Sequence, residues 1–367
     1  MQQHGAITLA VSLTILTLST LVGFAVSRAM LMEQKLTNNE VRAMQAFDAA
    51  EAGMMQAYSY LVAYPDDTAY AAMEMVGAAS VAVSVTELSG DRPRLLVSAQ
   101  GAADDHSAGA SLSQQLVRLN ALPGMPLTPL IARGALTFSG VTRIRNPEGS
   151  STLWSGGGID LGTHPDSATA VPDMTDAGYP VCLELPGSCV LVTASSRTLP
   201  GIDMLAHDAS LAESDAEEFF HNFFGMPPQR YRATMVSIDT AGTAAQAALQ
   251  LAQNEVIWVE GSHSFNGGTV GCSTALSAGQ LCPPASQGPA IVIVNGDADI
   301  VGALHFYGML FVLGELTLSA TVTLHGAAAV AGNVSGGSID IWYNSGLLLS
   351  AAHSGPLAVS AGSWKDF

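Results

Sequence analysis

Two carboxylates, Asp297 and Glu315, stand eighteen positions apart and are the residues best spaced to do chemistry together. In a chain that folds back on itself with that period, their side chains fall roughly 5 Å apart on neighbouring strands. A pair at that distance can hold Ca²⁺ or divide acid and base work between its members. No Lys or Arg accompanies it to bind an acidic sugar or to stabilise developing charge, and Asn333, eighteen positions further on, continues the strip. The same period lines up Tyr307, His325 and Tyr343 on an outward position. Such a column either offers rings to a sugar or ties adjacent strands together. The nine histidines form no HExxH and no pair at ligand spacing, and there is no GxSxG, phosphate-binding loop or dinucleotide fingerprint. The reading is no catalytic residue, no metal and no cofactor, with Asp297, Glu315, Tyr307, His325 and Tyr343 as a surface or ligand strip.

What must position that strip is a repeat. Glycine recurs every six residues at Gly296, Gly302, Gly308, Gly314, Gly326 and Gly332, with Ala320 in the remaining place. The hexads group into units of eighteen beginning at Ile291, Met309 and Ala327. Every even-numbered residue from Val292 to Val334 is apolar or glycine, which gives one inward-facing set carried across several turns. A three-sided parallel β-helix accounts for this, because each rung sends the same parity inward and glycine permits the corners. The phase slips at Gly336-Gly337, after which Ile339 and Ile341 take over, as a bulge would allow. Leu130–Asn146 carries Gly134 and Gly140 in the same hexad, and STLWSGGGIDLG and VIWVEGSHSFNGGTVG read as further rungs. The β-helix is therefore expected over 130–350, interrupted by an insertion at 164–254. Two helices are expected in that insertion, SLAESDAEEFFHNFFG with a serine cap and AGTAAQAALQLAQN.

The odd, outward positions hold an anomaly. Ile291 and Ile293, then Met309, Phe311 and Leu313, then Ala327, Ala329 and Ala331 stack into an apolar exterior face, where a water-facing strand would carry polar residues. Something covers it: the insertion helices, the amphipathic part of the N-terminal helix, or another subunit. The four cysteines form two close pairs, Cys182 with Cys189 and Cys272 with Cys282, and neither pair has zinc-site or redox-dithiol spacing. Of the three pairings that four cysteines allow, the two local ones are favoured, in an oxidising compartment.

The compartment is read from the N-terminus. Ala6 to Ser27 is uncharged, and as a helix it would span roughly 33 Å, enough for a bilayer core. Its Ser and Thr hydroxyls can bond to the helix's own carbonyls. The run is too long for a signal-peptide core, and no small-x-small cleavage site follows it. Amphipathic sequence continues instead, with Phe47, Ala50, Met54, Tyr58 and Leu61 at helical spacing and Pro65 as a stop. One helix over 6–64 is expected, apolar all round in its first half, where Ala6, Leu9, Leu13, Leu16, Leu21 and Phe24 would face lipid or sister helices. Residues 80–121 read as a short β-meander within a sheet region at 65–122, followed by the proline-rich linker Leu122–Pro129 and closed by a tail at 351–367.

This N-terminus resembles that of the PilX family of minor pilins. The shared features are a short polar leader ending in Gly5, the apolar helix with Gly23, Glu33-Gln34, Asn38, and above all the box Ala46-Phe47-Asp48-Ala49-Ala50-Glu51-Ala52-Gly53. The resemblance implies a leader of residues 1–5, cleavage between Gly5 and Ala6 by a prepilin peptidase, and assembly with other pilins and minor pilins. The glutamate that most major pilins carry five residues after the cut is replaced by Ala10, which points away from a shaft subunit. The leader also carries only His4 in place of Lys or Arg, and Arg28 opposes the usual charge bias. The hexad body and the closing Gly362–Phe367 also resemble C-terminal regions of some PilX-like proteins.

Composition sets the remaining bounds. A net charge of −18, from 31 acids and 13 bases, argues against docking on phosphate backbones, so no nucleic-acid partner is expected. The expected fold is α+β with a mainly β body: a long pilin-like helix, a small antiparallel sheet and a C-terminal parallel β-helix with a helical insertion. The expected function is that of a non-enzymatic minor pilin, single-pass in the bacterial inner membrane with its N-terminus cytoplasmic, then at or near the tip of an extracellular type IV pilus. There it would support assembly and adhesion to a host or environmental surface. The competing readings are an envelope-anchored β-helix protein that binds or cleaves carbohydrate, a type II secretion pseudopilin, and a bactofilin-like cytoplasmic scaffold.

Overall fold

The uncharged run and the amphipathic sequence behind it form one helix, α1 (His4–Ala63), in the computed structural model, which describes residues 4–64, 69–89, 94–176, 189–274, 276 and 280–366. Hydroxyls along its apolar half turn inward on the backbone: Thr14 donates to the carbonyl of Val11 at 2.8 Å, Thr17 to Thr14 at 2.9 Å and Ser19 to Leu16 at 2.9 Å. That satisfies them without water. The chain divides into two compact units, one of residues 1–117 with 357–367 and one of residues 118–356.

In the first unit α1, from Ala46 onward, packs on an antiparallel sheet of β1 (Ala71–Val76), β2 (Ala79–Leu88), β3 (Arg94–Ala102) and β4 (Gly109–Arg118). Alternation decides the sheet's faces. Val81, Val83, Val85, Leu95 and Val97 point to the helix while the intervening residues stay partly exposed. The helix answers with Ala46, Ala49, Ala50, Met54, Ala57 and Leu61, all buried. Phe47 was expected on this face but is 38% exposed; the contact stripe runs through Ala46 instead. The physical reason is closeness. A Cβ on Gly101 of β3 would lie 2.0 Å from the Ala46 carbonyl oxygen, and one on Gly53 would lie 2.6 Å from Val81. Only alanine and glycine fit so near a sheet, so the small residues of the AFDAAEAG box serve as its packing surface. Two features went unread in the sequence: β1, and the return of Leu357–Val359 and Lys365–Asp366 to pair beside β4. In chain order the second unit is thus inserted between β4 and the last two strands of the first unit's sheet.

The second unit is the β-helix. Ala290 pairs in parallel with Gly308, Ala298 with Leu316, Leu304 with Val322 and Gly308 with Gly326, each step being eighteen residues. Even-numbered residues from Val292 through Val334 fill its inner core, joined by Ile339 and Ile341. At the corner shared by Gly308 and Gly326, φ is +125° and +129°, and a Cβ on Gly308 would come 2.1 Å from the carbonyl of Ala290, so only glycine fits. The slip at Gly336-Gly337 is a rung one residue short: Leu316 pairs with Val334 eighteen on, but Val322 pairs with Ile339 seventeen on.

The order of the rungs differs from the order of the sequence. Leu130–Ala132 pairs with Ala328–Val330, and Thr142–Arg145 with Ile339–Trp342, so the first rung in the chain lies against the last. From there the chain runs outward through Leu153–Ser155 to Met204–Leu205. It then crosses in helices and re-enters at Ile238–Ala241, the far end, to work back through Val256–Glu260 and Ala290–Asn295. Within 164–254, strands Ala168–Pro172, Leu191–Ser196, Met204–Leu205 and Ile238–Ala241 all join the sheet.

The crossing helices answer the question of the apolar exterior. The single helix expected from Ser210 breaks at Ser214 into Ala209–Glu213 and Ala216–Phe224, capped by the carboxylates of Asp208 and Asp215 and not by serine. A third helix, Pro228–Met235, follows with Pro228 at its first turn, where proline is tolerated. Phe219, Phe220, Phe223, Phe224 and Tyr231 bury Ile291, Ile293, Met309 and Phe311 in a second core. The ring of Phe311 lies 5.2 Å from that of Phe220, near-perpendicular, and 5.2 Å from that of Phe224. The cover is intramolecular. At one end of the stack the helix Gly242–Leu251 adds Ala245 and Leu249 to the inner core. At the other, the buried Asp203 carboxylate accepts hydrogen bonds from the hydroxyls of Thr152, Thr169 and Ser195, which offsets the cost of burying it.

Candidate functional site

The outward residues of one β-helix side converge on a cleft of about 950 Å³. Strand Ala298–Val312 supplies Tyr307, strand Val322–Val330 supplies His325 in register with it, and the rings stack at 4.7 Å with 8° between their planes. The third place in the column belongs to Trp342, not Tyr343, because the seventeen-residue rung sets Trp342 opposite His325. Tyr343 instead joins the second core, and its hydroxyl donates to the Pro126 carbonyl at 2.7 Å. Arg145 pairs in register with Trp342, sets its guanidinium 4.4 Å from the indole centre and is ion-paired to Asp340. The column is therefore Tyr307, His325, Trp342, Arg145.

The wall above Tyr307 is pinned by the disulfide Cys272–Cys282, as the spacing led us to expect, with the Cα atoms 6.1 Å apart. The Cys282 N–H donates to the Tyr307 hydroxyl oxygen at 2.8 Å, and Gln287 Nε2 donates to the Cys282 carbonyl at 3.1 Å. Cys182 lies outside the described residues, and its expected pairing with Cys189 lies there too. Elsewhere in the lining Asn344 caps the helix Ser345–Ala352, its side-chain oxygen accepting from Leu347 N–H at 3.0 Å, and Glu148 accepts from Ser345 N–H at 3.1 Å.

Burial raises the pKa of the Tyr307 phenol, with the Cys282 N–H pulling the other way, and burial together with the Glu148 charge pushes Tyr343 up to about 12. His325 is held below the ordinary histidine range, chiefly by burial; His305 and Arg145 act in the same sense and Asp340 against it. The column is uncharged at neutral pH except for Arg145, whose charge Asp340 balances.

The acidic strip has a different use. Asp297 accepts the backbone N–H of Glu315 at 2.9 Å, Glu315 accepts from Asn333 Nδ2 at 3.0 Å, and Asn333 Oδ1 accepts the N–H of Ala135 at 2.9 Å. Each side chain ties its rung to the next, along a line that crosses the junction between sequence-distant rungs. Among the described residues no cluster of three or more His, Cys, Asp or Glu could hold a metal ion.

In α1, Leu9, Leu13, Leu16, Leu21 and Phe24 are all at least 60% exposed, and the stretch is long and apolar enough to cross a membrane. Gly5 and Ala6 fall in the first turn of the same helix. Trp342 and Arg145 of the column, and Glu148, Gln287 and Asn344 of the cleft, were not read from sequence. The slip noted at Gly336-Gly337, carried forward one position, would have found Trp342.

Comparison with known proteins bears on α1. Residues 4–54 match the family model for the PilX N-terminal region. No curated protein matches the sequence. Among solved structures, the competence-associated pilin ComZ from Thermus thermophilus aligns over 89% of this chain and 98% of its own at 11% identity, with a TM-score of 0.30. A likeness of that size carries no weight for fold or function. The match at residues 4–54 covers the stretch that the sequence likens to PilX minor pilins, and over that stretch the chain is PilX-like.

Proposed function

We propose that this chain is a non-enzymatic minor pilin of a type IV pilus. It is held in the bacterial inner membrane by α1 with its N-terminus cytoplasmic, cut between Gly5 and Ala6 by a prepilin peptidase, and then assembled with other pilins at or near the filament tip. The observation that carries this reading is the division of α1. Its first half exposes apolar side chains on every face, and from Ala46 onward it is sealed by alanine and glycine onto an antiparallel sheet. The PilX match spans that whole transition. A helix so built loses nothing on leaving lipid if it enters a bundle of like helices, because both surroundings are apolar. The β-helix, with its apolar exterior closed by its own helices, is then a water-exposed body suited to contact with a surface. A secretion pseudopilin would use the same helix, and no observation favours it.

The carbohydrate-cleaving alternative drew on Asp297 and Glu315, whose side chains are engaged in rung-to-rung hydrogen bonds. An Asp297→Ala, Glu315→Ala chain is expected to support normal piliation, and loss of a glycan-cleaving activity in that chain would reverse the assignment. The test of the main reading is N-terminal sequencing of the chain recovered from sheared fibres. Ala6 as the first residue is expected. An intact Met1, or absence of the chain from fibres, excludes the pilin.

A further inference from the structure

The cleft beside the aromatic column has features that structural stapling alone does not require. Tyr307 is 2% exposed and its ring faces His325 and the disulfide-bearing wall, so it serves the fold. Trp342 is different: it is 38% exposed, on the same column, in the same cleft. The Arg145 guanidinium covers one face of this indole; the remainder, left open to the concavity, is a ready surface for the C–H face of a ring.

The polar groups around it are fixed in place and only partly used. Asn344 spends its oxygen on the helix cap, leaving its Nδ2 donors unengaged by the described residues. Gln287 spends its Nε2 on Cys282, leaving its carbonyl oxygen. Glu148 accepts from Ser345 N–H and has lone pairs to spare, and Arg145, paired through one nitrogen with Asp340, keeps further donors. Donors and acceptors therefore line the same cleft as one exposed indole, each held by a bond to the framework. Such mixed, preorganised hydrogen bonding suits vicinal hydroxyls, which donate and accept at once.

Charge selects among ring ligands. Arg145 is balanced by Asp340, Glu148 adds a negative charge, and the chain as a whole carries −18. A phosphate, sulfate or uronate would enter against that field. A bare hydrocarbon would leave the framework's spare donors and acceptors unpaired.

We propose that the cleft formed by Trp342, Arg145, Glu148, Asn344 and Gln287 is a binding site for a neutral carbohydrate, with a sugar ring packed against Trp342. It deepens the proposed role in surface contact but does not need the pilus, since binding is read on the purified chain whether or not that chain enters fibres.

The experiment uses the full chain in a detergent without a sugar headgroup. Titrations with neutral gluco-, manno- and N-acetylglucosamine oligosaccharides are followed by calorimetry and by indole fluorescence, with a sulfated oligosaccharide and inorganic phosphate as charged probes. Saturable binding of at least one neutral series is expected, with a change in Trp342 emission. Trp342→Ala should weaken it about tenfold or more, equivalent to ~1.4 kcal/mol. Trp342→Phe, which keeps a ring and guards against misfolding, should retain most of the affinity, and Trp364→Ala should change nothing. The proposal is overturned by three results: no saturable binding across the neutral panel, tighter binding of the charged probes, or binding indifferent to Trp342→Ala in a chain whose circular dichroism is unchanged.

Discussion

The apolar half of α1 and the outer apolar face of the β-helix are chemically alike and structurally opposite. Both are long hydrophobic surfaces that the sequence leaves without polar alternation. On the β-helix, Ile291, Ile293, Met309 and Phe311 are fully buried under Phe219, Phe220, Phe223 and Phe224 of the chain's own crossing helices. On α1, Leu9 to Phe24 have no such cover. One surface is satisfied within the chain, so it needs no partner. The other is left exposed, as the proposed place in lipid or among sister helices requires. Hydrophobicity alone does not mark an interface; what counts is whether the same chain brings the lid.

Breaking the lid should produce the largest effect. Phe311→Ala removes the ring on which four crossing phenylalanines converge, Phe219, Phe220, Phe223 and Phe224, and a loss of about 3–5 kcal/mol is expected. It would be read as a fall in the thermal midpoint of the purified chain, with membrane association unchanged. The opposite substitution, Leu16→Arg, should leave that midpoint alone. It places a charge in mid-span at a cost of about 2.5–3.5 kcal/mol to insertion, visible as chain lost from the membrane fraction. If either substitution moves both readouts, the two surfaces are not independent. Gly101→Ala sharpens the distinction within the first unit. Its methyl meets the backbone of Ala46, and overpacking of about 1–3 kcal/mol should loosen α1 from the sheet, measured as faster amide exchange in β3.

The smallest effect is titrational. His263, His305 and His325 all have pKa values lowered by burial, so the folded chain binds fewer protons than the unfolded one. Their contribution to stability is complete above the ordinary histidine value of about 6.5 and is lost as pH falls through it towards their folded values. The thermal midpoint should therefore fall between about pH 7.5 and about pH 5.5, and His325→Asn should make that fall shallower.

How much of this was readable in the sequence depended on how local the signal was. α1 and the inward parity of the rungs are written in spacing alone, and so are the eighteen-residue register and the Cys272–Cys282 loop. β1 was not read, because all of Ala71–Val76 except Val76 is Ala, Met or Glu, residues that favour helix as much as strand. The pairing of Leu130–Ala132 with Ala328–Val330 was not readable either. Inward parity says that a rung exists but not which rung it stacks on, and that choice is fixed by contacts nearly two hundred residues apart. Trp342 fell between these cases. Its slip was visible, but the consequence for the column appeared only when the seventeen-residue rung set it opposite His325. The acidic strip shows the reverse error: a spacing suited to chemistry that the fold spends on hydrogen bonds between rungs.

The central contrast, between an uncovered helix and a self-covered β-helix, is tested most directly by placing one photo-crosslinking residue at Leu16 and, in a separate chain, at Phe311 in living cells. The account predicts adducts from Leu16 to lipid before assembly and to helices of other subunits in fibres, and from Phe311 only within its own chain. Adducts from Leu16 to soluble cytoplasmic proteins with none to lipid, or adducts from Phe311 to a neighbouring subunit, would contradict it.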